Sequence, residues 1–297
     1  MIRVYDRSQQ RVVDEKECAV GSIKFLYNTR TGRILLKSFV YRKPVSNLYS
    51  IYEKSPLSKG KVKKFVKKFN ISTSDCFPVK YRNFNEFFTR QRIQYLDQTA
   101  ADELPAIADS KLTVYQIDET SRFSIKNSVY TVGELLENEA YARRFTGGLC
   151  LIFRLTPDDY HRYVYPDSGT QSSTVKIKGV LHTVNPVSAD SRVYARNSRQ
   201  WTVLYTEHLG EIVQIEVGAL LVGKIRNHYM HGGAYFSKLD EKGYFEYGGS
   251  TVALLIPKGT VQIDEDILKY SAMGIESKVI IGERIGKILP SGANHEA

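Results

Sequence analysis

The chain has 297 residues, 42% of them hydrophobic and 25% charged. That is the balance of a globular protein with one large domain or two small ones and a real core, not of a disordered or fibrous chain. A formal net charge of +10 attracts anions such as nucleic acid, anionic lipid or acidic substrates, and it carries no information about fold. Cys18, Cys76 and Cys150 are widely spaced, which excludes a disulfide framework or zinc motif and fits a reducing compartment.

Met1–Gln10 is polar and lacks an apolar signal core. No run approaches the ~20 apolar residues that span a bilayer, so any membrane would be met from its surface. From about Ile34 to Arg92 the spacing predicts helices. Leu36, Phe39 and Val40 form one i, i+3, i+4 series, and Leu48, Ile51 and Tyr52 form another beyond Pro44. Ser58 is placed to cap a helix through Val62, Phe65, Val66 and Phe69. The rest of that helix carries Lys59, Lys61, Lys63, Lys64, Lys67 and Lys68, a basic amphipathic face that is either merely solvated or suited to an anionic membrane surface. A short helix is expected over Phe84–Arg90, with Phe84, Phe87 and Phe88 on one side.

Beyond Pro105 the texture changes. Short apolar or alternating runs recur at Lys111–Ile117, Leu149–Leu155, Thr174–Ile177, Thr202–Tyr205, Ile212–Val217, Ala219–Ile225 and Thr251–Ile256, punctuated by Gly, Asn and Pro. Thr131–Arg143 is the one helical stretch among them. Many short strands with turn signals predict a barrel or sandwich.

Five polar islands could carry chemistry. Gly248-Gly249-Ser250-Thr251 precedes an apolar strand and reads as a turn or bulge. It also supplies what an N-to-O acyl shift needs: a hydroxyl beside the carbonyl it attacks, and a glycine that tolerates the strained backbone. His161, in Asp158-Asp159-Tyr160-His161-Arg162, is either a structural histidine or a proton carrier, its unperturbed pKa lying at about 6.5. Arg162 suits a phosphate, a carboxylate or a structural Asp. Asp109 after Pro105 fits an Asx-turn, or the acid that orients a histidine in a triad. His182, before Val184-Asn185-Pro186, and Asn197, before Ser198-Arg199, sit between strands where turn chemistry is the simple reading.

Taken together and in this order, Phe84–Arg90, Ala108-Asp109-Ser110, Asp159-Tyr160-His161-Arg162, Val184-Asn185-Pro186, Asn197-Ser198-Arg199, Glu216–Ala219 with Val222-Gly223, and Gly249-Ser250-Thr251 resemble the phosphatidylserine decarboxylase family over nearly the whole chain. The resemblance implies self-cleavage between Gly249 and Ser250. It would yield a β chain of residues 1–249 and an α chain of residues 250–297 that remain associated, with Ser250 converted to a pyruvoyl group. That ketone would act as the electron sink when phosphatidylserine is decarboxylated to phosphatidylethanolamine, with no metal. Asp109, His161 and Ser250 are the implied catalytic residues, with Arg162, His182 and Asn197 as candidates for substrate binding. Two departures stand out. Gly248 replaces the leucine of some members, and Val164 occupies the position of a second histidine that usually follows Asp-Tyr-His-Arg and is the presumed cleavage base.

The expected architecture is α+β: a helical, membrane-contacting region over residues 1–95, then a β-rich barrel- or sandwich-like catalytic domain over residues 96–297. The expected setting is peripheral, on the cytoplasmic side of the cell membrane, against an anionic surface. Homo-oligomerisation stays open. Nucleic acid is not an expected partner, because the lysine cluster lies on a predicted helix rather than among aromatics on strands. The alternatives are an uncleaved relative serving as a lipid-binding or scaffold protein, and a decarboxylase of another amino-acid substrate.

Overall fold

The computed structural model describes residues 2–15, 51–77, 80–95, 99–118, 123–125, 128–178, 198–218, 224–246 and 250–290. His182, Asn197, Gly249, the helical series of residues 34–50 and most of the expected strand at 219–225 lie outside them.

In chain order the first strands are β1 (Arg3–Asp6), β2 (Arg11–Asp14), β3 (Cys76–Phe77), β4 (Gln91–Arg92), β5 (Glu103–Pro105), β6 (Ser110–Gln116), β7 (Phe123–Ile125), β8 (Ser128–Tyr130), β9 (Leu149–Leu155) and β10 (Arg162–Val164). There follow β11 (Gly169–Gln171), β12 (Val175–Ile177), β13 (Arg199–Thr206), β14 (Gly210–Val217), β15 (Ile225–Asn227), β16 (Tyr235–Phe236), β17 (Glu241–Phe245), β18 (Ser250–Ile256), β19 (Val261–Ile263), β20 (Glu276–Val279) and β21 (Arg284–Ile288). The described helices are α1 (Lys59–Phe69), α2 (Phe84–Phe88), α3 (Val132–Leu136), α4 (Glu139–Ala142) and α5 (Glu265–Ala272), with residues 51–54 also helical.

The architecture is mixed and strand-rich. One large sheet runs β16-β11-β13-β14-β18-β9-β6-β20-β1-β2, with β12 joined to β13. Its pairings are antiparallel except that of β1 with β20. β18 lies in the middle, and all seven of its residues are buried. A strand covered on both faces reads as a continuous apolar run, as Thr251–Ile256 does. Val252, Leu254 and Ile256 enter the larger core, while Ala253 and Leu255 enter a second core on the opposite face, the alternation that a pleated strand imposes. The larger core is closed by two three-stranded sheets, β10-β17-β15 and β19-β21-β5, through Tyr163, Val164, Phe245, Ile225, Ile263 and Ile285. The second core is closed by α3 and α4 through Val132, Leu135, Leu136 and Ala142.

Several expectations are corrected. The large sheet does not close into a barrel. Among the described residues it ends in β16 on one side and in the hairpin strand β2 on the other, and β2 presents Arg11 and Val12 to solvent, which is how an open edge is blunted. The first 95 residues are not uniformly helical: β1 and β2 belong to the large sheet, and β3 pairs with β4. Thr131–Arg143 is two short helices. Thr131 forms a capping box with Glu134 at the start of α3, Glu137 takes a left-handed conformation (φ 50°), and Asn138 caps α4 by accepting from the Tyr141 amide. Ser58 does not cap α1 with its side chain. Its hydroxyl is bonded to the carbonyls of Glu53 and Ser55 and accepts the amide of Phe84 at 2.8 Å. It thereby ties α1 to α2, where Val62, Phe65 and Val66 pack on Phe84, Phe87 and Phe88.

Candidate active site

Ser250 is the first residue of β18 and is paired with Leu155, the last of β9, while its neighbour Thr251 pairs with Val217, the last of β14. Ser110 opens β6 and pairs with Val279 at the end of β20. The ends of five adjacent strands therefore meet at one border of the large sheet, and the segments leaving that border build the site.

The Ser250 side chain is fully buried, and its hydroxyl finds no hydrogen-bond partner among the described residues. A buried, unpartnered hydroxyl costs on the order of 1–3 kcal/mol, and such groups call for a functional explanation. His161 is reached by a five-residue loop from Leu155. Its backbone carbonyl accepts the amide of Phe245 at 2.9 Å, and four residues separate Phe245 from Ser250. Both chain segments linking Ser250 and its strand partner to His161 are thus short. The ring is buried against Phe88, centroids 4.0 Å apart, with Nδ1 3.0 Å from the carbonyl oxygen of Asp159.

Asp109 precedes β6 at the same border. Its carboxylate takes both Arg92 guanidinium nitrogens, at 3.0 and 2.6 Å, and the amide of Ile281 at 2.9 Å. The direct Asp–His hydrogen bond expected from the triad analogy is not among these bonds. Arg92 claims Asp109 because β4 lays its guanidinium over the Tyr160 ring, 4.5 Å from the centroid, while the Tyr160 hydroxyl accepts the Arg92 amide. Arg162 is likewise engaged inside the protein. Its Nε donates to the carbonyls of Thr89 and Arg90, Nη2 to Thr89, and Nη1 to Glu241. It struts α2 against β17, so its donors serve the fold. Val164 is packed in the larger core, with its amide on the carbonyl of Ile107, and brings no polar group to the site.

Three features carried no signal in the local sequence pattern. Arg92 is one. The second is the buried pair of Lys242 and Glu216, 2.6 Å apart. Glu216 pairs with Val252 and so faces the same side of the sheet as Ser250. Asn227 donates to its other oxygen, and the Tyr163 hydroxyl donates to Asn227. Burial keeps the Lys242 ammonium below its ordinary pKa despite Glu216. The third is Lys111 on Asp159, with Nζ 2.8 Å from each carboxylate oxygen. Burial alone would raise the Asp159 pKa, but the Lys111 charge together with the hydrogen bonds from Lys111 and Thr156 outweighs it and holds the carboxyl below its ordinary value. Among the described residues no cluster of His, Cys, Asp and Glu is arranged to hold a metal ion, and no helix is long and apolar enough to cross a membrane.

A buried serine opens the central strand, and a buried histidine lies a short run of chain away from it. Residues 84–287 match the family model described as phosphatidylserine decarboxylase. A phosphatidylserine decarboxylase proenzyme 2 from Clostridium acetobutylicum is 44% identical over 289 residues, covering 96% of this chain and 98% of that protein. Phosphatidylserine decarboxylase proenzymes from Clostridium perfringens and Ruminiclostridium cellulolyticum are each 37% identical over 297 residues, covering 96–97% of this chain and 98–99% of theirs. The chain belongs to the phosphatidylserine decarboxylase family.

Proposed function

We propose that this chain cuts itself between Gly249 and Ser250 and then decarboxylates phosphatidylserine to phosphatidylethanolamine. The observation that carries the reading is the buried Ser250 hydroxyl, unpartnered among the described residues, at the head of the central strand.

In the processing step a base takes the Ser250 hydroxyl proton and the oxygen attacks the Gly249 carbonyl. The peptide C–N bond breaks and an ester links the two residues, with the Ser250 nitrogen now an amine. Removal of the Ser250 α-proton expels the Gly249 carboxylate and leaves a dehydroalanine, whose imine tautomer takes up water and loses ammonia to give a pyruvoyl group at position 250. The buried strand-end position of Ser250 suits that group: it is dry, fixed, and has no competing hydrogen bond from the described residues. When present, the ketone supplies the electron sink for loss of carbon dioxide.

His161 is the favoured base, because its segment is bonded to the one leading into Ser250 and Val164 cannot accept a proton. Asp109, locked to Arg92, contributes a fixed negative charge at the border rather than a ring contact. For access to lipid, the exposed basic face of α1 suits an anionic bilayer met peripherally on the cytoplasmic side of the cell membrane.

Intact mass tests the reading. Wild type should appear as two chains, the smaller beginning with pyruvoyl and quenched by hydroxylamine, while Ser250→Ala should remain one inactive chain. Normal processing of Ser250→Ala would sink the proposal.

A further inference from the structure

We infer that Lys111 is a positioning residue for His161, selecting which ring nitrogen is basic; the inference rests on the reading of His161 as the processing base. A carbonyl oxygen only accepts hydrogen bonds. The Nδ1 atom of His161, 3.0 Å from the Asp159 carbonyl, therefore carries a proton, and in the neutral ring Nε2 is the basic nitrogen. The tautomer is set by the bond the other nitrogen makes, so it depends on where the Asp159 carbonyl is held.

That carbonyl belongs to a tight turn with its own closed set of bonds. The Asp159 amide donates to the Thr156 carbonyl at 2.9 Å. The Asp159 carboxylate accepts the Thr156 amide at 2.7 Å and the Thr156 hydroxyl at 2.8 Å. The Lys111 ammonium completes the set, 2.8 Å from both carboxylate oxygens and 2.7 Å from the Thr156 hydroxyl oxygen. Lys111 stands on β6 two residues after Asp109, its side chain 6% exposed, so one short segment supplies both the acid at the border and the pin for the histidine loop.

The pin is itself surrounded by charge. Glu15 lies 3.7 Å from Lys111 and is shared with Arg154, which also holds Glu276. Asp158, beside the pair, has its pKa raised by burial and by the Asp159 charge. Removing Lys111 alone would strand buried carboxylates, so the test uses a pair of substitutions that removes both charges.

In the uncut Ser250→Ala chain labelled with ¹⁵N-histidine, long-range ¹H–¹⁵N correlation reports the tautomer of His161, assigned by difference from His161→Gln. The Nδ1–H form is expected. Adding Lys111→Met and Asp159→Asn should bring in the Nε2–H form, and the same pair in the Ser250 chain should slow processing by about tenfold or more. An unchanged tautomer overturns the inference, even if processing slows, because Lys111 would then serve stability only. If His161→Gln processes at the wild-type rate, the base reading fails, while the tautomer comparison still decides what Lys111 does.

Discussion

Asp159 and Lys111 make a pH-dependent contribution whose sign follows from the folded state. The Asp159 carboxyl titrates below its ordinary value of 3.8: burial alone would raise it, but the Lys111 charge and the hydrogen bonds from Lys111 and Thr156 together outweigh that cost. Near and below that value the unfolded chain binds more protons than the folded one. The stabilisation is therefore complete above the unfolded pKa and is lost as pH falls through the lower folded one. Breaking a buried pair costs on the order of 3 kcal/mol. Asp159→Asn in the uncut Ser250→Ala background should be less stable by that order at neutral pH, with the gap closing as pH falls through and below the ordinary carboxylate value. Denaturant unfolding at a series of pH values measures this, and a gap independent of pH would show that the charge is not what Lys111 reads. At this scale the motifs around Ser250, His161 and Asp109 were legible in the sequence, because a short motif announces its own residues. Their partners were not: Asp109 was expected to face a histidine and is instead held by Arg92 and the Ile281 amide, the latter separated from it by 172 positions.

Helix α1 divides its surface in two. Val62, Phe65 and Val66 pack on α2, while Lys59, Lys63, Lys64, Lys67 and Lys68 are exposed. Lys61 is different, being bonded to the buried carboxylate of Glu53 and lying 4.4 Å from the centre of the Tyr52 ring. Leu57, 82% exposed in the turn before α1, adds an apolar side chain near the helix start. Each basic residue near an anionic surface gains about 1 kcal/mol, screened by salt. Neutralising Lys63, Lys64, Lys67 and Lys68 should therefore weaken co-sedimentation with phosphatidylserine-containing vesicles at low salt and leave chain cleavage intact, while Lys61→Gln should act through stability instead. Equal binding by the fourfold variant would mean that the face is only solvated. The spacing alone made α1, β9 and β18 legible, since 3.6-residue and continuous apolar patterns are local. The break between α3 and α4 was not, because a left-handed Glu137 leaves the apolar pattern undisturbed.

The cut at Gly249 would leave the smaller chain woven through the molecule. Its β18 lies between β14 and β9, and its β20 between β6 and β1. The N-terminal segment grips it further. Arg7 reaches Asp264, Asp266 and Glu283 at 2.7–2.9 Å and donates to the Arg284 carbonyl, and Tyr5 stacks on Tyr270 with centroids 3.9 Å apart. Charge-assisted bonds of this kind are worth about 1.5–3 kcal/mol each before desolvation is subtracted. In the processed protein, Arg7→Ala should lower the urea concentration at which the two chains separate, read by size-exclusion chromatography or native mass spectrometry. An unshifted midpoint would assign the association to strand pairing alone.

By itself the sequence determined the family, the short motifs around Asp109, His161 and Ser250, and the strands whose apolar runs are buried on both faces. Each of these is written in residues a few positions apart. Only the tertiary structure decided that the sheet stays open, that the first strand lies parallel to β20, that Arg162 is a strut, that Val164 belongs to the core, and that Lys111 grips the turn before His161. Those outcomes depend on pairings across tens to hundreds of positions, which side-chain packing and burial select during collapse and which no local periodicity records.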